Sequence, residues 1–177
     1  MKWKHVVIIP GRASHLQLQW TEESSVDIIL VYSPNDLTVK LDFYRRLVTY
    51  VNSTQLVDPI LMGDFNFVEG SLDRTPQHSD DNRLNTLINI IKKKYDLTDG
   101  WRTCNPTDLG FTYTHSNNSM SRIDRIYVTE DTFEYTYNWE ITNNIAISDH
   151  QMASMTILRK QLPYIGKGTW RMHADQI

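Results

Sequence analysis

A short apolar run that ends in Gly63-Asp64-Phe65-Asn66 is the feature that most constrains this chain. Residues 60–62 have the composition of a short buried strand, and Gly63 allows the backbone to turn after it. Asp64 and Asn66 are then expected to project from the end of the strand, where a rigid scaffold commonly carries catalytic groups. Taken alone, the segment is also typical of a simple turn in which Asp64 bonds local backbone amides.

Two further segments change that interpretation. Ser121-Arg122-Ile123-Asp124-Arg125-Ile126 places a carboxylate in an apolar strand between two arginines, and Ser148-Asp149-His150 precedes another apolar run. Separately, they indicate a structural ion pair and a turn cap. Together with the first segment they supply carboxylates, an amide and an imidazole, a costly set of polar groups for a small domain without a function. The same set can hydrolyse a phosphodiester with a hard divalent ion, because it offers a base for water, oxygens for Mg²⁺ and a histidine for the phosphoryl charge.

Length and composition predict one globular domain. The chain has 177 residues, of which 40% are hydrophobic and 22% charged, and its apolar runs are far shorter than the ~20 residues of a membrane helix. We find no targeting signal, and the single Cys104 fits a reducing, intracellular compartment. The formal charge of −3 is unfavourable for binding nucleic acid, although it does not exclude a local basic rim.

Apolar periodicity predicts strands mixed with two helices. Extended segments are expected at 6–9, 16–20, 26–32, 60–62, 111–114, 123–128, 133–141 and 151–158. Asp36 is expected to cap the first helix and Asp80 or Asp81 the second, with a surface loop at 68–81 and a hairpin turn at 117–119. The pattern indicates an α+β fold with central sheets and outer helices, in a domain spanning 1–160 followed by a linker-like tail at 161–177.

In this order the segments resemble the endonuclease/exonuclease/phosphatase superfamily, which has the DNase I-like fold. Within it they resemble the endonuclease domains of non-long-terminal-repeat retrotransposons. The similarity runs from about residue 26 to the C-terminus and includes Tyr32-Ser33-Pro34-Asn35 besides the three segments above. The narrower resemblance depends on 72–80, 99–102, 105–106 and the tail at 163–168. It implies a four-layer α/β sandwich with two central mixed β-sheets flanked by helices.

The resemblance also implies catalytic roles. Asp64 corresponds to the residue that deprotonates the attacking water, with Asn66 orienting water or phosphate beside it. His150 corresponds to the group that stabilises charge on the scissile phosphate, and Asp124 to its carboxylate partner. Tyr32 is expected to reach the phosphate.

Binding roles follow from the same resemblance. Arg122 and Arg125 are expected to lie on a basic rim that contacts substrate, and Thr112 and Ser148 to contact the nucleic-acid backbone. Asp149 is expected to ligate the metal, which would be Mg²⁺ or Mn²⁺.

One departure from the family concerns its opening segment. The family carries an asparagine on its first strand and, on a later strand, a glutamate that is the principal metal ligand. Glu22 and Glu23 lie in a polar turn and Asn35 belongs to the tyrosine motif, so we find no counterpart. The resemblance therefore implies an N-terminally truncated copy that lacks the first strands and has a weakened metal site.

Three functions remain open at this stage. The first is a Mg²⁺-dependent DNA endonuclease that nicks its substrate, impaired by the absent ligand. The second is a catalytically inactive remnant that binds nucleic acid weakly through Arg74, Arg122, Arg125 and the basic tail. The third is a phosphomonoesterase of the same superfamily. Expected partners are DNA and, in a full-length ancestor, a reverse transcriptase domain; the chain is expected to be a monomer without membrane contact, and nuclear if the element is active.

Overall fold

A computed structural model describes residues 2–19, 25–142 and 148–158. The first half contains β1 (Lys2–Ile9), β2 (Ala13–Gln19), β3 (Ser25–Tyr32), α1 (Leu37–Ser53), β4 (Ile60–Asp64), a 3-10 turn (Ser71–Asp73), β5 (Arg74–Thr75) and α2 (Asn82–Lys94). The second half contains β6 (Leu97–Asp99), α3 (Gly100–Cys104), β7 (Tyr113–Thr114), β8 (Met120–Ser121), β9 (Asp124–Thr129), α4 (Glu130–Phe133), β10 (Thr136–Thr142) and β11 (Met152–Ile157).

The central element is a six-stranded mixed sheet with the order β1-β2-β3-β4-β9-β6. Only β3 and β4 pair in parallel within it, and helix α1 makes the crossover that a parallel pair requires. The Asp36 carboxylate accepts a hydrogen bond of 3.0 Å from the Val39 amide and so caps α1, as predicted. Asp81 caps α2 in the same way through the Arg83 amide.

One face of this sheet is covered by the two long helices. Their buried positions follow the helical stripes predicted from the sequence: Leu41, Tyr44, Leu47 and Val51 from α1, and Leu84, Ile88 and Ile91 from α2. These side chains pack against Ile29, Val31, Leu61 and Tyr127 of the sheet. The burial of this apolar surface is the main stabilising contribution that the two helices make.

The β10–β11 hairpin packs on the opposite face of the sheet. It covers a smaller cluster of Val26, Ile60, Ile126 and Val128 through Trp139, Met155 and Ile157. On the same face, Leu30 and Tyr32 remain 41% and 53% exposed. A mixed sheet with helices on one face and a β-hairpin on the other confirms the predicted α+β class.

The prediction of a surface loop at 68–81 holds for 76–81, which is irregular and mostly exposed, and is wrong for 68–75. This segment contains the 3-10 turn and β5, and Val68 and Asp73 are buried. The Val68 amide donates to Asp80 and so closes the segment on itself, while the Asp73 carbonyl accepts from the Arg122 amide. This second bond ties the segment to a distant part of the chain, which periodicity cannot show. The short helices α3 and α4 were also not predicted, because neither is long enough to show a period.

Several predicted features lie outside the described residues. They are Trp20, Glu22, Glu23 and the tail at 161–177. Within 2–19, 25–142 and 148–158, none of the helices combines the length and apolar character that a membrane span needs.

Candidate active site

Three polar residues form a row across neighbouring strands at one edge of the main sheet. Tyr32 ends β3 and is in register with Asp64, which ends the parallel strand β4. Asp64 is in turn in register with Asp124, the first residue of β9. Because residues in register across a sheet share a face, the sequence-predicted residues Tyr32, Asp64 and Asp124 meet at one place.

Gly63 is required by this pairing. It has φ +133°, and a Cβ atom at this position would lie 2.0 Å from the carbonyl oxygen of Val31 on the neighbouring strand. A side chain here would therefore separate β3 from β4 just before Asp64. The requirement for glycine comes from this close contact and from the positive φ, because Gly63 lies within β4 rather than in a turn.

Asn66 fixes the orientation of the Asp64 carboxylate. Its backbone amide donates to Asp64 Oδ1 at 2.8 Å, and its side-chain amide donates to Asp64 Oδ2 at 2.9 Å and to the Ser33 carbonyl at 2.7 Å. Asn66 adopts a φ of +51°, a left-handed conformation that asparagine tolerates better than most residues. Each carboxylate oxygen keeps a further lone pair for another donor.

The Asp64 carboxyl has an altered proton affinity. Burial raises its pKa to about 6, and the charge of Asp124 acts in the same direction. The hydrogen bond from Asn66 and the charges of His150 and Lys40 oppose that shift. A carboxyl with a pKa near 6 is ionised at neutral pH and is more basic than an ordinary aspartate, which suits a general base.

Asp124 contacts His150 rather than either of its flanking arginines. The His150 Nδ1 lies 2.9 Å from Asp124 Oδ2, and the His150 ring lies 4.6 Å from that of Tyr113. Ser148 Oγ accepts a 3.1 Å bond from the His150 amide, so Ser148 shapes the turn that presents the histidine. The structural alternative for Asp124, an ion pair with its flanking arginines, is therefore not what the structure shows.

Thr112 is placed differently from the sequence prediction. Its side chain is 0% exposed, which contradicts the expected contact with nucleic acid. Thr112 Oγ1 instead accepts hydrogen bonds from the amides of Ile123 (3.1 Å) and Asp124 (3.0 Å). Its carbonyl accepts a 2.7 Å bond from Gln151, next to His150, so Thr112 links the segments that carry Asp124 and His150.

Arg122 is also buried, with 2% exposure, and cannot form a basic rim. It bonds both oxygens of Asp73, at 2.8 and 3.0 Å, and pairs with Asp99 at 2.8 Å. The segment that contains Asp73 is thereby anchored to β6 and to the chain beside Asp124. The sequence predicted a solvated basic rim because no partner for Arg122 lies beside it in the chain. Its partners, Asp73 and Asp99, come from distant segments.

Arg125 is 1% exposed and lies on the helix-covered face of the sheet. Its guanidinium packs 4.8 and 4.7 Å from the ring centres of Phe65 and Phe67 and donates a 2.9 Å bond to the Phe67 carbonyl. Arg125 also forms a longer ion pair of 3.5 Å with Glu69. The predicted substrate contact is contradicted by this burial, because strand alternation directs Arg125 away from the face that Asp124 occupies.

A cleft of about 680 Å³ joins the predicted residues. Asp64, Asn66, Tyr32, Asp149 and His150 all line it. Lys40, Arg74, Tyr113 and His115 also contribute, and among these only Arg74 had been considered from sequence. A lysine on the apolar stripe of α1, one turn before Tyr44, was the available signal for Lys40.

Comparisons with known proteins identify the family of this chain. Residues 20–150 match the Endonuclease/Exonuclease/phosphatase family. A curated relative, a transposon TX1 uncharacterized 149 kDa protein from Xenopus laevis, is 28% identical over 84% of this chain, which spans only 11% of that protein's length.

Solved structures show the same fold. A 3′ phosphatase, NExo from Neisseria bound to a product DNA hairpin, gives a TM-score of 0.69 at 19% identity, covering 84% of this chain and 65% of that one. The endonuclease domain of TRAS1, a telomere-specific non-LTR retrotransposon, gives 0.65 at 15% identity, covering 90% and 70%. An AP endonuclease from Archaeoglobus fulgidus gives 0.68 at 18% identity, covering 82% and 65%. The superfamily resemblance is thereby confirmed, and the transposon and retrotransposon matches support the narrower one: this chain belongs to the Endonuclease/Exonuclease/phosphatase family.

Proposed function

We propose that this chain is a Mg²⁺- or Mn²⁺-dependent endonuclease domain that nicks DNA. The observation that carries the proposal is the convergence of Asp64, with its raised pKa, and the Asp124–His150 pair at one cleft. The fold is shared with a phosphatase bound to a DNA product and with a retrotransposon endonuclease domain, which supports nucleic acid as the substrate class.

Asp64 is the general base of the proposed reaction. Asn66 holds its carboxylate in one orientation through two donated bonds, so the remaining lone pairs have a fixed direction toward the cleft. Such a group can accept a proton from water as the water oxygen attacks phosphorus. Positioned proton transfer of this kind typically contributes ~10²- to 10⁴-fold in rate.

His150 stabilises the charge that develops on the phosphoryl oxygens. Because Asp124 contacts Nδ1, the opposite ring nitrogen is the one that can face a phosphate. The Asp124 carboxylate holds the ring in the orientation that presents this second nitrogen. Tyr32, 53% exposed at the end of β3, lines the same cleft and would donate its hydroxyl to that phosphate.

The divalent ion would be held by few protein ligands. No three histidine, cysteine or carboxylate side chains converge as a cation site anywhere in the described ranges. Asp64 is bonded by Asn66, whereas Asp149 is an exposed carboxylate that lines the cleft beside His150. Mg²⁺ usually keeps several waters and takes one or two carboxylates plus substrate phosphate, so this donor set fits a hydrated ion on Asp149. When bound, the ion would polarise the phosphoryl group.

The proposal extends to partners. We propose DNA as the substrate, a monomeric domain, and a reverse transcriptase domain and a nuclear site of action for the longer protein to which such a domain would belong. Similarity to a transposon protein and to a retrotransposon domain supports this context.

A nicking assay tests the function directly. Supercoiled plasmid is incubated with the chain in Mg²⁺, in Mn²⁺ and with a chelator, using wild type, Asp64→Ala and His150→Ala. Asp42→Ala and His5→Ala are matched controls, because both residues are exposed and neither lines the cleft. We expect metal-dependent nicking that the first two substitutions abolish and the controls retain.

Three outcomes would count against the proposal. Nicking in the presence of chelator, or nicking that survives both site substitutions, would remove the site assignment. Hydrolysis of a phosphate monoester without plasmid nicking would favour the phosphomonoesterase alternative. Absence of nicking by the folded chain, together with salt-sensitive DNA binding, would favour the inactive binding alternative.

A further inference from the structure

Buried side chains hold three consecutive carbonyls after Asp64. Tyr44 Oη donates to the Phe65 carbonyl at 2.9 Å, and Lys40 Nζ donates to the Asn66 carbonyl. Arg125 Nη2 donates to the Phe67 carbonyl at 2.9 Å. Two of these donors lie one helical turn apart on α1 and therefore point at adjacent carbonyls. The turn that orients the Asp64 carboxylate is thus fixed from the helix side of the sheet.

Lys40 differs from the other two donors. Tyr44 is a neutral phenol with 0% exposure, and Arg125 is enclosed by aromatic rings and paired with Glu69. Lys40 is 8% exposed, carries an ammonium group, and lines the cleft itself. It also interacts electrostatically with Asp64.

Burial of this ammonium is unfavourable in itself. Burial lowers the pKa of Lys40, and Arg74 acts in the same direction, while the carboxylates of Asp80, Asp64 and Asp36 oppose it. Its hydrogen-bond acceptor is a neutral carbonyl, which compensates less for lost hydration than a carboxylate would. An apolar residue on this helical stripe would avoid that cost, so the charge is best explained by a role at the cleft.

We propose that Lys40 is a positioning residue of the site, acting through Asn66 and Asp64. Its ammonium holds the Asn66 carbonyl, which fixes the residue whose two amides orient Asp64, and its charge favours the ionised form of that carboxylate. The catalytic role of Lys40 rests on the proposed function. The physical coupling is nevertheless measurable in a protein that does not turn over.

The test is an NMR titration of the Asp64 side chain in the full chain. The carboxyl carbon resonance is assigned by its absence in Asp64→Asn and followed with pH in wild type, Lys40→Met, Lys40→Arg and Tyr44→Phe. Other charged groups that face Asp64, namely Asp124 on β9 and His150, are the same in all of these proteins. Tyr44→Phe is the matched control, because it removes the neighbouring carbonyl contact without removing a charge.

We expect Lys40→Met to move the Asp64 midpoint upward by about half a pH unit or more, since a nearby opposite charge commonly shifts a carboxyl by ~1 to 3 units. Lys40→Arg should restore the wild-type midpoint, and Tyr44→Phe should leave it nearly unchanged. A midpoint unchanged in folded Lys40→Met, or shifted equally by Tyr44→Phe, would overturn the inference. If Lys40→Met does not fold, the Lys40→Gln variant replaces it, with the same expectation.

Nicking assays distinguish this inference from the proposed function. If wild type nicks plasmid, Lys40→Met should lower kcat more than it raises KM and should move the acid limb of the pH profile upward. If wild type does not nick but the midpoint shifts as expected, the proposed function fails and the coupling between Lys40 and Asp64 stands.

Discussion

His150 Nδ1 lies 2.9 Å from Asp124 Oδ2, although the two residues are 26 positions apart in sequence. The contact joins the first residue of β9 to the turn that precedes β11. Because the carboxylate holds the ring in one orientation, we expect the pair to act as one functional unit.

Asp124→Asn tests that unit. The amide keeps a similar shape but lacks the carboxylate charge that faces the His150 ring, so we expect plasmid nicking to fall ~10²-fold or more while the thermal midpoint changes little. Asp131→Asn, at an exposed carboxylate on α4, is the control and should behave as wild type. A variant that nicks at the wild-type rate would show that His150 works without its partner.

Thr112→Val tests the buried link between the two segments. Valine matches the shape of threonine but leaves the amides of Ile123 and Asp124 without their acceptor. We expect a loss of ~1 to 3 kcal/mol in unfolding free energy, measured by urea denaturation, together with weaker nicking. Thr112→Ser keeps the acceptor and should retain most of both properties. A Thr112→Val variant as stable and as active as wild type would show that the hydroxyl acceptor is not needed.

Asp64 should make both activity and stability depend on pH near 6. Its folded pKa of about 6 exceeds the ordinary value of 3.8, so the native state binds the proton more readily than the unfolded chain. This contribution to stability is therefore fully present below 3.8 and is lost as pH rises through 6. Nicking should fall about tenfold per pH unit below 6, because the base must be ionised.

Asp64→Asn separates the two effects. The variant should lack nicking and should be at least as stable as wild type at pH 7.5, since it no longer buries an ionised carboxylate. Its thermal midpoint should also vary less between pH 4 and 7 than that of wild type. A variant clearly less stable than wild type at pH 7.5 would show that ionised Asp64 is favourable to the fold.

The sequence predicted the strands and helices that have clear periods, and it predicted which residues meet at the cleft. β3, α1, β4 and β9 were predicted within a few residues, because one buried face gives each a regular apolar pattern. Arg122, Arg125 and Thr112 were assigned wrongly because a polar residue within a strand has the same pattern whether its partner is solvent, DNA or a distant carboxylate. Asp73, 49 positions from Arg122, is such a partner and cannot be identified from local sequence.

Arg125 is buried beneath the site, whereas Arg74 lines the cleft, so substitutions of the two arginines should have different effects. Arg125→Met should cost ~1 to 3 kcal/mol in unfolding free energy, because the Phe67 carbonyl loses its donor. Arg74, whose side chain is 13% exposed and bonded to Asp80, lines the cleft where a phosphate backbone would pass. Arg74→Met should weaken DNA binding and lower the salt slope by about one contact, and it also removes the bonds to Asp80 and Ser121, so stability is measured alongside. DNA binding is measured by fluorescence anisotropy at several salt concentrations, and stability by urea denaturation. A lower salt slope in Arg125→Met but not in Arg74→Met would contradict the prediction.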